Sequence, residues 1–314
     1  MLRVGTESGS FVVGGCSGTD GTVLSDDFAD GLADELAGQP VTAAAPGGWA
    51  VAGGHVVLRG GREVARLDGL VAQCLLPSGA GVLVGTSGAH VVEVGPPGRP
   101  DLLASFDAIA SRDDWYTPWG APPDTRSMAG AGDGVLLVNV HVGGVWRREP
   151  EQSTWDPVVD VDTDTHQVLL QGDDAVAAAA VGFGYSPDGG RTWDWTDDGL
   201  DASYCRAVAL AGDVALVTAS TGPGTRRAAV YRRPVAGRAF ERCRKGLPEW
   251  FSANIDTACL AASGALVAFG TADGDVYVSF DQGRSWERAA SGLPPVRCIV
   301  VEGSEAPEGG RPAA

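Results

Sequence analysis

The sequence predicts an all-β protein, a β-propeller of seven four-stranded blades closed by pairing strands from the two ends of the chain. Three observations predict it. A strand-built repeat returns every 40 to 47 residues, the range of propeller blades. Gly 46 and Pro 19 punctuate a chain that is still 44% hydrophobic, the mark of many short strands between turns rather than of disorder. The fragments left over at the two ends complement each other and complete one more blade.

The repeat carries two markers. Gly-Leu pairs fall at 199/200, 246/247 and 292/293, spaced by 47 and 46 residues. Apolar strands ending in Gly (TRSMAGAG to Gly132, THQVLLQG to Gly172, CRAVALAG to Gly212, RCIVVEG to Gly303) are spaced by 40, 40 and 91, the last step covering two units. One complete unit reads CRAVALA, VALVTAS, AAVYRR and RAFERC, four strands separated by turns. Less regular units occupy 40–68, 70–105 and 124–160. C-terminal PVRCIVVEG is an innermost strand without followers, whereas LRVGTES, GSFVVGG and GTVLS at the other end are followers without an innermost strand. Joining them closes the ring and removes the open edges of an incomplete one. The reading is a single propeller over 1–303 with a disordered tail at 304–314. Residues 25–39 read as a short helix, with Ser25 as N-cap and Phe28, Leu32 and Leu36 on one face. Stretches 110–124 and 245–256 read as long loops carrying Trp115, Tyr116, Trp119, Trp250 and Phe251.

Charge narrows the function classes. Forty Asp+Glu against 23 Lys+Arg give a net −17, and Lys245 is the single lysine. Nucleic acid is excluded as a partner, because neutralising phosphates needs a basic face. A high-GC genome and adaptation to high salt account equally for this composition; either way the surface repels polyanions at long range. No apolar run approaches the roughly 18 residues of a membrane span. The opening MLRVGTESGSFVV lacks a signal-peptide pattern, so a cytoplasmic monomer with no membrane contact is expected.

Ser186-Pro-Asp188-Gly-Gly190-Arg-Thr192-Trp193 matches the Asp-box pattern S-x-D-x-G-x-T-W. Ser279-Phe-Asp281-Gln-Gly283-Arg-Ser285-Trp286 matches it with Ser for Thr. The chain therefore resembles the BNR/Asp-box repeat β-propellers of the sialidase-like superfamily, which also includes xyloglucan-hydrolysing endoglucanases, sortilin-type receptors and photosystem II assembly factors. The box implies a structural turn between the outer two strands: Asp accepts backbone N–H bonds, Gly takes φ > 0, and Trp packs between blades. Sialidases hold a substrate carboxylate with three channel arginines and use an Asp acid/base with a Tyr–Glu nucleophile pair. The resemblance implies the triad role for Arg126, Arg206 and Arg297 and the nucleophile role for Tyr204, with Asp256 or Asp164 as further catalytic candidates. The family's Arg-Ile-Pro motif is absent; Arg3 stands in LRVGT instead. Hydrolysis by two carboxylates is judged by their separation, which is a structural quantity.

The residues themselves point to the channel mouth. Arg126, His166, Arg206 and Arg297 each stand six positions before a strand-ending Gly, which puts four cationic or titratable side chains at one height around one opening. Guanidinium forks carboxylate and phosphate, so this ring predicts an anion site; pairing of each Arg with an acid from a neighbouring loop is the alternative. Trp115, Tyr116, Trp119 and Trp250 either stack on a ligand or plug the opening. Asp160, Asp162 and Asp164 alternate as Ca²⁺ ligands do, without the central Gly and distal acid of such a loop, so no metal or other cofactor is expected. His141 reads as a hydrogen-bonded strand residue, and His55 and His90 as turn residues. Among six cysteines there is no C-x-x-C; Cys74, Cys259 and Cys298 fall in one slot of the innermost strands and read as buried small hydrophobes. No G-x-S-x-G, H-E-x-x-H, Walker or dinucleotide motif is present. The expected function is non-catalytic binding of an anionic small molecule, glycan or protein segment at an Arg/His-lined mouth. The alternative is a divergent sialidase-like exo-glycoside hydrolase.

Overall fold

Seven four-stranded antiparallel sheets account for the strands of the computed structural model, which describes residues 1–14, 22–25, 38–130 and 134–302. Of the helix expected over 25–39, residues 26–37 lie outside that set, and Ser25, its expected N-cap, is instead the last residue of a strand, Thr22–Ser25; the tail at 304–314 and the marker glycines Gly132 and Gly303 also lie outside it. Blade 1 contains β4 (Val41–Ala45), β5 (Trp49–Ala52), β6 (Val56–Arg59) and β7 (Arg62–Arg66). Blade 2 contains β8 (Ala72–Ser78), β9 (Gly81–Thr86), β10 (Val91–Gly95) and β11 (Arg99–Leu102). Blade 3 contains β12 (Thr125–Gly130), β13 (Leu136–Val140), β14 (Gly144–Arg148) and β15 (Asp156–Val159). In blade 4 these are β16 (Thr165–Gln171), β17 (Asp174–Ala179), β18 (Gly182–Ser186) and β19 (Asp194–Thr196). Blade 5 has β20 (Tyr204–Ala211), β21 (Val214–Ser220), β22 (Ala228–Pro234) and β23 (Glu241–Arg242); blade 6 has β24 (Leu260–Ser263), β25 (Leu266–Gly270), β26 (Val276–Ser279) and β27 (Glu287–Ala290).

Blade 7 closes the ring as expected. Its innermost strand is C-terminal β28 (Val296–Val301), followed outward by N-terminal β1 (Leu2–Thr6), β2 (Gly9–Gly14) and β3 (Thr22–Ser25). The register pairs Leu2 with Val301 and Val4 with Ile299. Innermost strands touch in sequence around the circle, β4 on β8 through to β28 on β4.

Burial explains why the second strands read as unbroken apolar runs. β9, β13 and β21 are buried along their whole length, because both faces of a blade's middle meet a neighbouring blade. Fourth strands lie at the rim and are largely exposed, as β11 is. Within blade 6, Trp286 stands edge-on to Phe269 with centroids 4.9 Å apart, and between blades 4 and 5 Phe183 meets Phe240 at 5.1 Å. The Gly-Leu marker has a packing reason: Gly199 (φ +83) lies against the Phe240 backbone of blade 5 and Gly246 (φ +83) against the Trp286 backbone of blade 6, where a Cβ would collide with a carbonyl.

The two S-x-D-x-G-x-[T/S]-W segments form turns with the same bonding between third and fourth strands. Asp188 Oδ1 accepts from the Ser186 hydroxyl (2.7 Å) and the Arg191 and Thr192 amides (3.0 and 2.9 Å), while Oδ2 accepts from Thr192 Oγ1 (2.7 Å). Asp281 repeats this with Ser279 Oγ (2.8 Å), the Ser285 amide (2.8 Å) and Ser285 Oγ (2.6 Å). Gly190 and Gly283 donate their amides to Ser186 Oγ and Ser279 Oγ, and the Trp193 and Trp286 indoles donate to the Gly190 and Gly283 carbonyls. Burial would raise both carboxyls, but these donors hold Asp281 down at about 2 and Asp188 lower still.

The stretch 110–124 is only partly a loop. A helical turn at Ala104–Asp107 and a 3₁₀ turn at Ala110–Asp114 lead into it and carry Phe106 and Arg112 under its first aromatic. No helix among the described residues is long and apolar enough to cross a membrane.

Candidate functional site

The six-before-Gly slot is a β-bulge. Thr42, Gln73, Arg126, His166, Arg206 and Arg297 are each skipped in the ladder between innermost and second strand. In blade 6 the slot falls to Ala258, held at φ +65 just ahead of β24. A bulged residue has no partner opposite and its side chain is re-aimed, so the six bulges place six side chains at one height of the ring. Thr42, Gln73, Arg126, Ala258 and Arg297 line a cavity of about 970 Å³ at this mouth, together with Glu7, Trp119, Asp124, His141, Asp256 and Thr257. A narrower cavity of about 350 Å³ continues down the channel between the innermost strands and meets the mouth at Gln73, Arg126, Thr257 and Ala258.

The carbonyl just before the bulge is satisfied by the preceding blade. Asn139 Nδ2 donates to Thr165 O (3.1 Å), His166 Nδ1 bonds Cys205 O (2.5 Å), and the thiols of Cys74, Cys259 and Cys298 reach Thr125 O, Val296 O and Val41 O at 3.4 to 3.8 Å. This explains the cysteine slot. Burial pushes the Cys74 and Cys298 thiols up to about 12 and that of Cys259 higher.

Arg126 and Arg206 converge on one acid. Asp256 Oδ1 accepts from Arg206 Nε (2.7 Å) and from Arg126 NH2 (3.4 Å), and lies 2.5 Å from Arg206 NH2. The Thr257 amide adds a fourth donor at 3.1 Å. Arg126 Nε further donates to Thr257 Oγ1 (3.3 Å), and Arg206 NH1 donates to the Tyr204 hydroxyl (3.1 Å). The arginine side chains are only 17% and 14% exposed, whereas Asp256 is 49% exposed. Burial, reinforced by repulsion from Arg206, lowers Arg126 to about 10, and Asp256 offsets this only in part. Burial pushes Asp256 up, but Arg206 and Arg126 together hold it below the ordinary carboxylate value.

Arg297 does not join them. It pairs with Glu7 on the opposite wall of the mouth and is 55% exposed. The three-arginine triad is therefore a pair plus an outlier. The hydrogen-bond partner of the Tyr204 hydroxyl is Arg206, and among the described residues it has no bond to a carboxylate, which an activated tyrosine nucleophile requires.

Asp160, Asp162 and Asp164 take separate tasks. Asp160 Oδ1 accepts the Asp162 amide (2.9 Å) and caps the 3₁₀ turn 161–163, while Asp162 accepts from the Tyr116 hydroxyl (3.4 Å). Asp164, in the left-handed region at φ +50, faces two histidines: Oδ1 lies 3.3 Å from His141 Nε2 and Oδ2 lies 3.5 Å from His166 Nε2. His141, Asp164 and His166 bring three donor atoms within 4.8 Å of one another, the one such group of His, Cys or acid side chains among the described residues. Burial would raise Asp164, but its contacts with His141 and His166 hold it far below the usual carboxylate range. Burial lowers His166, the neighbouring arginines add to this, and Asp164 opposes it.

The aromatics divide. Trp119 is 61% exposed on the mouth wall, 5.1 Å from the His141 ring, and Tyr116 is also exposed. Trp115 is buried instead, packed on Phe106 (5.8 Å) and Trp146 (5.6 Å) with Arg112 over its ring, so it belongs to the core and not to a ligand surface. Trp250 is sandwiched by Arg227 and Arg242 beside a separate cavity of about 50 Å³. The structure brings Arg126, His166, Arg206, Tyr204, Asp256 and Asp164 near one another and adds Asp124, Thr257 and His141, which the sequence did not single out for this mouth. The usable signal for His141 was its place directly after β13, where its amide bonds Asp124 O (2.9 Å) at the same mouth.

No protein-family model matches the chain, and no curated protein matches it in sequence. Solved structures resemble it in fold. The RRP9 WD40 repeats align over 83% of both chains at 14% identity and a TM-score of 0.60. The Pan2 WD40 domain of Neurospora crassa aligns over 82% of this chain and 80% of its own at 10% identity and a TM-score of 0.53. The GH74 enzyme of Niastella koreensis aligns at 11% identity and a TM-score of 0.56, covering 80% of this chain and 45% of the enzyme. These likenesses are of fold and agree with the seven-bladed β-propeller described above; the neighbours include WD40-repeat structures and a GH74 enzyme.

Proposed function

We propose that the protein is a non-catalytic binding propeller of Asp-box type whose channel mouth takes the carboxylate of a small anionic ligand or acidic glycan on Arg126 and Arg206. The observation that carries this reading is that two buried guanidiniums share a single carboxylate oxygen, on an acid that is itself half exposed to the cavity. Every nitrogen of the two forks meets a protein partner, but only Asp256 is charged; a second carboxylate entering from the mouth competes with the neutral ones, His141 and Thr257 on Arg126 and Tyr204 on Arg206, for groups that guanidinium offers bidentately. Asp124, Asp164 and Glu7 also border this region, so the attraction is local to the fork rather than a broad positive field. That favours a monoanion such as a sugar acid over a polyphosphate, with Trp119 as a surface for a sugar face. A hydrolytic role lacks support from Tyr204, which bonds an arginine, and from Asp256, which is tied by two.

The test is calorimetric titration and thermal shift with sialic acids, uronates, neutral oligosaccharides and phosphorylated metabolites, on the wild type and Arg206→Gln. Stabilisation by a carboxylate ligand that disappears in the variant supports the reading. A folded Arg206→Gln chain that keeps all binding refutes it, and turnover of sialosides or aryl glycosides by the wild type moves the protein into the hydrolase class.

A further inference from the structure

His166 is fully buried, and its ring orientation is fixed by Nδ1, which bonds the Cys205 carbonyl at 2.5 Å. A carbonyl only accepts, so Nδ1 carries a proton, and in the neutral imidazole Nε2 presents a lone pair. That Nε2 has no hydrogen-bond partner and points at Asp164, whose Oδ2 is 3.5 Å away and whose Oδ1 is likewise buried without a hydrogen bond. A lone pair thus faces a carboxylate inside the protein. Two acceptors so placed repel unless a cation lies between them, and a third donor atom, His141 Nε2, stands 3.3 Å from the other oxygen.

We propose that His141, Asp164 and His166 form a binding site for a divalent transition metal such as Zn²⁺. Two imidazoles and one carboxylate are the donor set of three-ligand sites with open positions, and the ligand softness suits Zn²⁺ or Co²⁺ rather than Ca²⁺. The Cys205 carbonyl supplies the outer hydrogen bond that orients a ligating histidine. One neighbour must yield. Arg126 NH1 lies 3.0 Å from His141 Nε2 and turns from that ring toward the cavity when the ion enters. There it faces the open metal positions, so an anion bound to the metal meets the guanidinium as well. The metal site does not depend on the anion reading, because its donors are His141, Asp164 and His166 and none of them needs a ligand in the mouth.

The experiment uses the full chain, stripped with chelator and titrated with Zn²⁺ by calorimetry and with Co²⁺ by visible absorption, in buffer free of carboxylates. The expected result is one equivalent bound, a visible Co²⁺ band, a raised melting temperature, and affinity at least 100-fold weaker in Asp164→Asn and His166→Gln. Arg126→Gln, which removes the neighbouring cation, binds more tightly. Asp164→Asn guards the test against a His166 variant that fails to fold, since Asp164 is 30% exposed and its loss opens no core cavity. Absence of saturable binding up to millimolar Zn²⁺ overturns the proposal, as do full affinity in folded Asp164→Asn, loss of binding on changing the exposed His55 instead, and weaker binding by Arg126→Gln. Failure of the anion screen leaves the metal titration unaffected, so the two readings fall separately.

Discussion

Replacing Asp256 by Asn leaves Arg126 and Arg206 side by side without their shared counter-ion. Removing one partner of a buried ion pair costs about 3–5 kcal/mol, and because Asp256 is half exposed the expected loss is about 2–3 kcal/mol. Unfolding entropy near 2.1 cal/mol/K per residue makes 1 kcal/mol worth roughly 1.5–2 °C in a chain of this length, so Tm falls by about 3–6 °C. An anion binding that pair replaces the lost charge. At 100 times its Kd it returns about 2.7 kcal/mol, close to the whole deficit, and it binds the variant more tightly than the wild type. The assay is a thermal melt of both proteins in chloride, then with citrate, sulfate and the best sugar acid from the screen. A variant that melts with the wild type, or an anion that stabilises both equally, refutes the picture of two arginines awaiting a second carboxylate.

Three further outcomes follow from the same structure. Asp281, held at about 2 against an unfolded value near 3.9, contributes stability that is present above about pH 4 and lost as pH falls through about 2; Asp281→Asn is less stable by about 1–2 kcal/mol at pH 7, after solvent screening, and the gap closes in urea melts near pH 2. Gly292→Ala costs about 1 kcal/mol, because its φ of +73 is the only obstacle, whereas Gly199→Ala and Gly246→Ala, which also strike a backbone carbonyl of the next blade, cost about 3 kcal/mol or more in denaturant titrations. Truncation before Val296 removes the innermost strand of blade 7, and calorimetry of the shortened chain shows no cooperative transition near the wild-type Tm.

The ring was legible because its devices are local. A Gly-Leu pair marks where backbone from one blade lies on the next, and an apolar run ending in Gly marks an innermost strand; both survive as spacing. The slot shared by Arg126, His166, Arg206 and Arg297 was legible for the same reason, since a bulge at a fixed distance from a turn keeps its distance in sequence. What that slot could not convey is which partner each side chain finds. Arg297 lies across the ring and takes Glu7, and Asp256 serves two arginines from other blades. His141 sits outside the slot and reaches the site through its place after a second strand, beside Val142 at φ +52, a conformation that apolar flanking residues do not announce. Trp115 looked like its neighbours Tyr116 and Trp119; only the turns at 104–107 and 110–114, which carry Phe106 and Arg112 beneath it, make it a core residue.

The bulge ring separates what the chain must keep from what it can exchange. A residue skipped by the ladder contributes no cross-strand pair, so Thr42, Gln73, Arg126, Arg206 and Arg297 can be rewritten without disturbing the register that holds the blades, whereas buried His166 also holds the Cys205 carbonyl of the next blade. The rewritable positions amount to five settings around one opening, each on a rigid mount, with Arg126 and Arg206 coupled through Asp256. Altering recognition then becomes a matter of choosing side chains at addresses already fixed, and the present arrangement, with Arg126, His166 and Arg206 on three consecutive blades and Arg297 alone among the uncharged Ala258, Thr42 and Gln73 on the others, is one setting among many the same scaffold can carry.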